Sequence, residues 1–263
     1  MGVFMFRQGQ RIVSAALIAV SAAALVACQQ KSASIDSYDG MSTASTGPAS
    51  MTATASLGKA WQADQKDIGK GLAYAKGLES IGQVDQQLNV LQQLNRSNPG
   101  NAQLATHYGK KLVTAGKSAE ALPVLEQAAG APDADWRVHS ALGSAYDQQG
   151  FYEKARGEYG KALALRPNEL SVLNNMGMSY ALQGDLKTAE TTLRQASQLP
   201  KANTQPRIRQ NLALVVGLQG RFEEARKIAS EDLPQDQVQA NMEYLQKMLA
   251  QPNTWQQISN EQG

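Results

Sequence analysis

The residue types that most often carry chemistry are scarce in this chain. It contains two histidines, His107 and His139, and a single cysteine, Cys28. A catalytic or metal site needs acids, bases, nucleophiles or ligands clustered in one place, and neither histidine belongs to a His-Glu-x-x-His pair. No Gly-x-Ser-x-Gly element supplies a nucleophile either. The sequence therefore predicts a protein that is not an enzyme and holds no cofactor, metal or small-molecule substrate.

One short motif invites a nucleotide-binding interpretation that its context excludes. Gly116-Lys117-Ser118 matches the end of a phosphate-binding loop. That loop requires a glycine five residues earlier, where Lys111 stands, and a preceding strand, whereas residues 102–115 have a helical pattern. We interpret the motif as a turn between helices, with Ser118 as the N-cap of the second helix.

Cys28 occupies the one position where covalent chemistry is expected. An uncharged run of about 16 residues, Ile12–Ala27, follows two arginines. The run is shorter than the roughly 20 residues of a membrane-spanning helix, and a basic start with an apolar run is typical of an export signal. Its end, Leu25-Val26-Ala27-Cys28, has the form of a bacterial lipobox. We therefore expect residues 1–27 to be a lipoprotein signal peptide and Cys28 to be the lipidated first residue of the mature chain.

Lipidation predicts the location of the protein. A cysteine carrying several acyl chains stays anchored to a membrane. Gln29 follows the cysteine, and in enterobacterial sorting the absence of Asp there favours the outer membrane, so we expect a lipid anchor on its periplasmic face. Without the two arginines of residues 1–27, 25 − 2 = 23 basic residues balance 23 acidic residues. This balance predicts no nucleic-acid partner.

Residues 28–60 are rich in Ser, Thr, Ala and Gly and contain few large apolar side chains. Such a composition buries too little surface to offset the entropy of ordering. We expect a lipidated flexible tether with a root-mean-square reach of about 30 Å. A docked N-terminal arm is the alternative.

A glycine period dominates the rest of the chain. Gly82, Gly116, Gly150, Gly184 and Gly220 are separated by 34, 34, 34 and 36 residues. A 34-residue period is typical of the tetratricopeptide repeat, a helix–turn–helix unit. The glycine marks the end of the first helix, where the backbone enters the left-handed region. Seven positions before each glycine the residue is small, and four positions before it the residue is large.

The period predicts an all-α protein, a right-handed α-solenoid of tetratricopeptide (TPR) helix-turn-helix repeats with a C-terminal capping helix, over residues 61–250. A plain helical bundle or coiled coil would not need glycine at fixed intervals. Val238, Met242, Leu245 and Leu249 share one face of the predicted cap. Residues 251–263 form a C-terminal tail in which Trp255 and Ile258 are candidates for docking. The predicted repeats and cap are 68–101, 102–135, 136–169, 170–203, 206–232 and 235–250.

The first helices of such repeats line a concave groove in which peptides or partner helices bind. Amide and basic side chains there suit an extended backbone or a carboxylate, although a solvated helix face is the more common explanation for any single one of them. Asn174 and Asn175 are the strongest pair. The candidate groove residues are Lys76, Lys110, Arg137, Asn174, Asn175, Arg207, Gln210 and Asn211.

Two stretches of the chain resemble one known family. They are NMGMSYALQGDL, residues 175–186, and RIRQNLALVVGLQGRF, residues 207–222. Over residues 70–250, together with the lipobox, the chain is similar to the TadD family, the TPR lipoproteins of tight-adherence (Flp) pilus assembly. The resemblance implies an outer-membrane scaffold that supports the secretin as a pilotin does. The implied partners are the secretin or other pilus assembly components.

Two other assignments stay open at this point. One is a pilotin of another type IV pilus or of a type II secretion system, and the other is a lipoprotein adaptor for cell-wall hydrolases. The first repeat departs from the pattern at Gly71 and Gln87, and we expect it to pack loosely or to present a different surface.

Overall fold

The computed structural model of the chain describes residues 48–250, and all regular secondary structure in this range is helical. No helix in it has the length and apolarity to cross a membrane. The elements are α1 (Pro48–Gln62), α2 (Ile68–Ser80), α3 (Val84–Ser97), α4 (Ala102–Thr114), α5 (Ser118–Ala129), α6 (Trp136–Gln148), α7 (Tyr152–Leu165), α8 (Leu170–Gln183), α9 (Leu186–Gln198), the 3₁₀ helix η1 (Ala202–Thr204), α10 (Pro206–Leu218), α11 (Phe222–Ala229) and α12 (Gln235–Leu249).

The described chain divides into two compact units. The N-terminal unit contains α1–α6 and ends at Gln149, and the C-terminal unit contains α7–α12 and begins at Gly150. Within each unit, consecutive helices pack against one another along the chain. This is the architecture of an α-solenoid, and the all-α prediction is confirmed for the described residues.

The periodic glycines lie in the turns between paired helices, as predicted. All five have a positive φ, between 74° and 98°. Gly116 shows the reason. Lys117 N–H donates to the carbonyl of Leu112 at 2.8 Å, which closes the end of α4 and requires the left-handed backbone. A Cβ at Gly116 would meet no atom within 4 Å, so backbone conformation, and not lack of space, selects glycine here.

A second set of glycines allows the paired helices to approach closely. A Cβ on Gly109 would lie 2.5 Å from Leu125, and one on Gly177 would lie 2.7 Å from Leu193. Both leucines are fully buried. In each unit, a leucine of the second helix therefore packs directly against a glycine of the first helix.

The first repeat is packed tightly, so the expectation of loose packing is wrong. A Cβ on Gly71 would overlap the side chain of Leu94, which is fully buried. Gln87 is also buried, and its Nε2 donates to Glu79 Oε2 at 3.0 Å. The large Leu94 fills the space at Gly71, and the hydrogen bond to Glu79 satisfies the buried amide.

Helix α1 corrects the predicted tether. Residues 28–47 lie outside the described residues, but residues 48–60 belong to a helix and not to a flexible linker. Thr54 and Trp61 are buried, and the Trp61 ring lies 5.8 Å from the ring of Tyr74 on α2. Cys28, the signal peptide and the tail at 251–263 also lie outside the described residues.

The small residues that suggested disorder allow α1 to pack closely against α2. A Cβ on Gly58 would lie 3.0 Å from the ring of Tyr74, and one on Gly77 would lie 3.1 Å from Thr54. Such close approach lets a helix with few large side chains bury its surface against a neighbour. Composition alone misses this because it counts the apolar residues of the segment and not those of its partner.

The prediction that Ser118 is the N-cap of α5 is wrong. It is the first residue of α5 and is buried, and Lys117 occupies the cap position without a side-chain hydrogen bond. The Ser118 hydroxyl oxygen accepts a hydrogen bond of 2.6 Å from Gln149 Nε2. The serine therefore joins α5 to the end of α6.

The C-terminal helices are fixed by a buried ion pair. Arg209 Nε on α10 donates to Asp232 Oδ2 at 2.7 Å, and both side chains are largely buried. Hydrogen bonding to Asp232 raises the pKa of Arg209. Asp232 stands where the other repeats have Leu or Ala, and the ion pair with Arg209 explains this departure.

Helix α12 packs against α10 and α11. Val238, Met242 and Leu245 are buried, as the predicted cap requires, and Leu249 is half-buried.

Candidate functional site

The eight predicted groove residues fall into two sets, one in each unit. The N-terminal unit carries the basic set, with Lys76 on α2, Lys110 on α4 and Arg137 on α6, all of them exposed. Arg137 Nη1 pairs with Asp135 Oδ2 at 2.6 Å, and its guanidinium lies 5.0 Å from the centre of the Trp136 ring. Arg137 is therefore tied to its own helix end.

His107 lies on α4 near Lys110 of this set and near Lys111. Desolvation lowers the pKa of His107, and the positive charges of Lys111 and Lys110 lower it further. The neighbouring charges favour a neutral imidazole near neutral pH. Lys110 of the basic set is therefore close to a ring that favours the uncharged form.

The C-terminal unit carries the amide set. Asn211 Nδ2 on α10 donates to Asn174 Oδ1 on α8 at 2.8 Å, and Asn174 Nδ2 contacts Asn175 Oδ1 at 3.4 Å. Asn174 is only 8% exposed. We call Asn174, Asn175 and Asn211 the amide cluster.

Burial divides the roles within the amide cluster. Asn174 cannot offer most of its amide to a partner, so it serves as the residue that positions Asn211 and Asn175. These two are half-buried, as is Gln210 beside them. Helix α8 carries no charged residue, while Arg207 at the start of α10 is exposed. The surface therefore combines donors and acceptors of uncharged amides with one guanidinium, which suits a peptide backbone and a carboxylate.

Comparison with known proteins identifies the repeat. Family models described as tetratricopeptide repeat match residues 136–169 and residues 170–195. Residues 136–195 are tetratricopeptide repeats. Asn174 and Asn175 lie within the second match, on the first helix of that repeat.

Several solved structures share this fold. The structure of MamA AMB-1 is 28% identical, with a TM-score of 0.50 over 57% of this chain and 89% of that chain. A tetratricopeptide repeat protein from Parabacteroides merdae is 13% identical, with a TM-score of 0.61 over 75% of this chain and 78% of that chain. PilW, described as a widely conserved type IV pilus biogenesis factor, is 20% identical, with a TM-score of 0.59 over 76% of this chain and 91% of that chain. A comparison with curated proteins finds no match.

The C-terminal unit also contains a charge network that the sequence did not reveal. Glu190 on α9 accepts from Arg194 at 2.8 Å and from Gln219 Nε2 at 2.8 Å, and it also pairs with Arg221. Glu224 on α11 pairs with Arg194 and with Arg221. The spacings of Glu190 to Arg194 and of Arg221 to Glu224 are helical pairs that a sequence can show. Their meeting across two helices is a tertiary contact that it cannot show.

Glu190 is the centre of this network. Partial burial by itself would raise the pKa of Glu190, but hydrogen bonds from Gln219, Arg194 and Arg221 outweigh it and lower the pKa. Burial alone would lower the pKa of Arg194, but hydrogen bonds to Glu190 and Glu224 outweigh it and raise that pKa. Because each charge is matched, the network stabilises the junction between the two hairpins. Among residues 48–250, no group of three or more His, Cys, Asp or Glu side chains is arranged to hold a metal ion.

Proposed function

We propose that this chain is a non-catalytic scaffold lipoprotein of a tight-adherence (Flp) pilus secretion system, anchored through Cys28 on the periplasmic face of the outer membrane. The tetratricopeptide repeats make it a scaffold for protein–protein interactions. In this proposal it binds the secretin or another assembly component and supports it as a pilotin does.

The amide cluster is the observation that carries the binding role. Hydrogen bonds between Asn174, Asn175 and Asn211 hold the side chains of two first helices in register. Preorganised amides lose little conformational freedom when a peptide binds. Arg207 lies at the start of α10, the helix that carries Asn211, and can pair with an acidic side chain or a C-terminal carboxylate. An extended segment with at least one carboxylate is therefore the ligand that fits this surface.

The pilus assignment is supported by residues 175–186 and 207–222, which resemble the TadD family. The second of these stretches contains two residues with structural roles. Asn211 belongs to the amide cluster, and Arg209 belongs to the buried ion pair. The fold shared with PilW is consistent with a role in pilus biogenesis. The lipobox ending at Cys28 supports the membrane anchor.

Capture of the purified secretin on the immobilised full chain tests this proposal. Replacing Arg207 and Asn211 together by Ala should weaken capture by about tenfold or more, because an interfacial charged hydrogen bond and an amide contact are lost. The control variant replaces Lys76 and Lys110 by Ala. These two residues are exposed and, like Arg207 and Asn211, lie on first helices. Unfolding curves of both variants show whether the fold is intact.

Equal capture by the Arg207/Asn211 variant and the wild type would reject the amide cluster as the binding surface. Replacement of Cys28 by Ser should release the protein from outer-membrane fractions without changing capture in solution.

The strongest alternative is a pilotin of another type IV pilus system, which the fold shared with PilW favours. Capture of a type IV pilus secretin in preference to that of a tight-adherence system would select it.

A further inference from the structure

One position of the repeat changes its chemistry between the two units. The residues six positions before the five turn glycines are, in chain order, Lys76, Lys110, Ser144, Met178 and Leu214. On α8 and α10 this position comes three residues after Asn175 and Asn211, so it lies on the same helix face as the amide cluster. The two lysines are exposed, whereas the methionine and the leucine are half-buried. A basic position of the N-terminal unit is therefore apolar in the C-terminal unit.

We call Met178 and Leu214 the apolar strip. Both side chains pack against the buried core of the C-terminal unit and remain partly accessible. On α10 the strip ends at Leu214, because α12 covers the next turn. A Cβ on Gly217 would lie 2.9 Å from Leu245, and Leu218 is only 3% exposed. A ligand on the amide cluster can therefore contact Leu214 but not the turn beyond it.

The other side of the amide cluster is polar. Arg207 is exposed and lies one turn before Asn211, about 6 Å along the helix axis. Leu214 lies about 4.5 Å from Asn211 in the opposite direction. Arg209, the other charged residue of α8 and α10, is held by Asp232. Along the helices, the surface therefore passes from one available guanidinium through the amides to the apolar strip.

A backbone that binds the amide cluster must cross both helices. Asn211 Nδ2 donates to Asn174 Oδ1 at 2.8 Å, so the row of amides runs from α8 to α10. Successive side chains of an extended chain point to opposite sides, which here are the apolar strip and Arg207. Side chains two positions apart are separated by about 7 Å, and packed helices by about 8–10 Å. Two such side chains can therefore contact Met178 and Leu214.

We propose that the partner segment is extended and carries an acidic side chain between two apolar ones. The apolar side chains contact Met178 and Leu214, the backbone binds the amide cluster, and the carboxylate pairs with Arg207. The carboxylate belongs to a side chain and not to a chain terminus, because a side chain reaches Arg207 while the backbone stays on the amides. The inference rests on the proposed function, in which the amide cluster is the binding surface.

Two end-capped peptides of identical composition test this alternation. The alternating peptide is Ser-Ser-Val-Glu-Val-Ser-Ser. The spaced peptide, Ser-Val-Ser-Glu-Ser-Val-Ser, places its glutamate and both valines on one side of an extended chain. Fluorescence anisotropy of the labelled peptides with the full chain measures the two dissociation constants. We expect the alternating peptide to bind about tenfold more tightly, since only it can use the apolar strip and Arg207 together.

The double variant Met178→Gln/Leu214→Gln should abolish this preference. Its matched control is Lys76→Gln/Lys110→Gln, which changes the same repeat position in the N-terminal unit and should leave the preference unchanged. Met178→Leu keeps the strip apolar and should retain the preference, which separates loss of the strip from loss of the fold. Arg207→Gln should weaken binding of the alternating peptide but not of a version with glutamine in place of glutamate.

Equal binding of the two peptides, binding of neither, or a preference that survives Met178→Gln/Leu214→Gln would overturn the inference. The peptides contain no secretin sequence, so this result is separate from secretin capture. A preference for the alternating peptide without secretin capture would retain the inference and reject the pilus partner.

Discussion

The two units share one repeat frame but join their helix hairpins in different ways. In the N-terminal unit, the ion pairs between hairpins are single and at least partly exposed, such as Lys117 with Asp85 at 3.5 Å. In the C-terminal unit, two hairpins are joined by the network around Glu190, and the pair of Arg209 and Asp232 is buried within the last hairpin. The comparison shows that the 34-residue pattern specifies the backbone and the contacts within a hairpin. The charged contacts, both between hairpins and within the last one, are set separately in each unit.

The largest effect should come from the buried ion pair of the C-terminal unit. Asp232→Ala leaves the largely buried Arg209 guanidinium with only the exposed carboxylate of Glu231, 3.6 Å away, and we expect a loss of about 3 kcal/mol in the free energy of unfolding. Asp85→Ala removes the exposed partner of Lys117 and should cost less than about 1 kcal/mol. Urea unfolding of both variants measures the difference. Similar losses in the two variants would show that the two ion pairs contribute equally to stability, whatever their burial.

The next effect should be the same in both units, because it belongs to the repeat frame. Gly109→Ala and Gly177→Ala push a Cβ against Leu125 and Leu193, and overpacking of this kind costs about 1–3 kcal/mol. The control is Gly157→Ala on α7, where an added Cβ meets no atom within 4 Å. That change should stabilise the protein by about 0.5–1 kcal/mol, because alanine is the better helix former. A stabilising effect at Gly109 would contradict the close approach of α4 and α5.

The sequence predicted those features that depend on the backbone or on spacing within a repeat. The turn at Gly116 and the close approach at Gly177 follow from the period, since each needs a residue type at a fixed position. Helix α1 was missed because its stability comes from Tyr74, a residue outside the segment. Local spacing likewise does not show which partner a polar residue meets.

In the amide cluster, too, the sequence predicted the helix on which each residue lies but not its tertiary contacts. Asn174 and Asn175 could be assigned to a first helix from the repeat, and Asn211 to the next one. The burial of Asn174 beneath Asn211 could not be predicted, because it depends on the distance between α8 and α10. In the proposed function, direct contact with a partner is therefore expected from Asn175 and Asn211 and not from Asn174.

The smallest effect is a difference in the pH at which each unit loses stability. The pKa of His107 in the N-terminal unit is lowered from 6.5, so the unfolded chain binds the proton more readily than the folded chain. Stability therefore falls as the pH drops below 6.5. Lys110→Gln removes one of the charges that lower this pKa, and it should reduce the loss between pH 7 and pH 5.

Glu190 in the C-terminal unit acts in a lower window. Its pKa is lowered from 4.5 in the folded chain, so its contribution is fully present above pH 4.5 and is lost as the pH falls through the lowered value. Glu190→Gln should therefore be less stable than the wild type at pH 7, and this difference should shrink below pH 4.5. Thermal unfolding of the wild type and the variant at pH 7, pH 5 and pH 3 measures it. A difference that stays constant across all three values would mean that packing, and not the charge of Glu190, holds the hairpins of the C-terminal unit together.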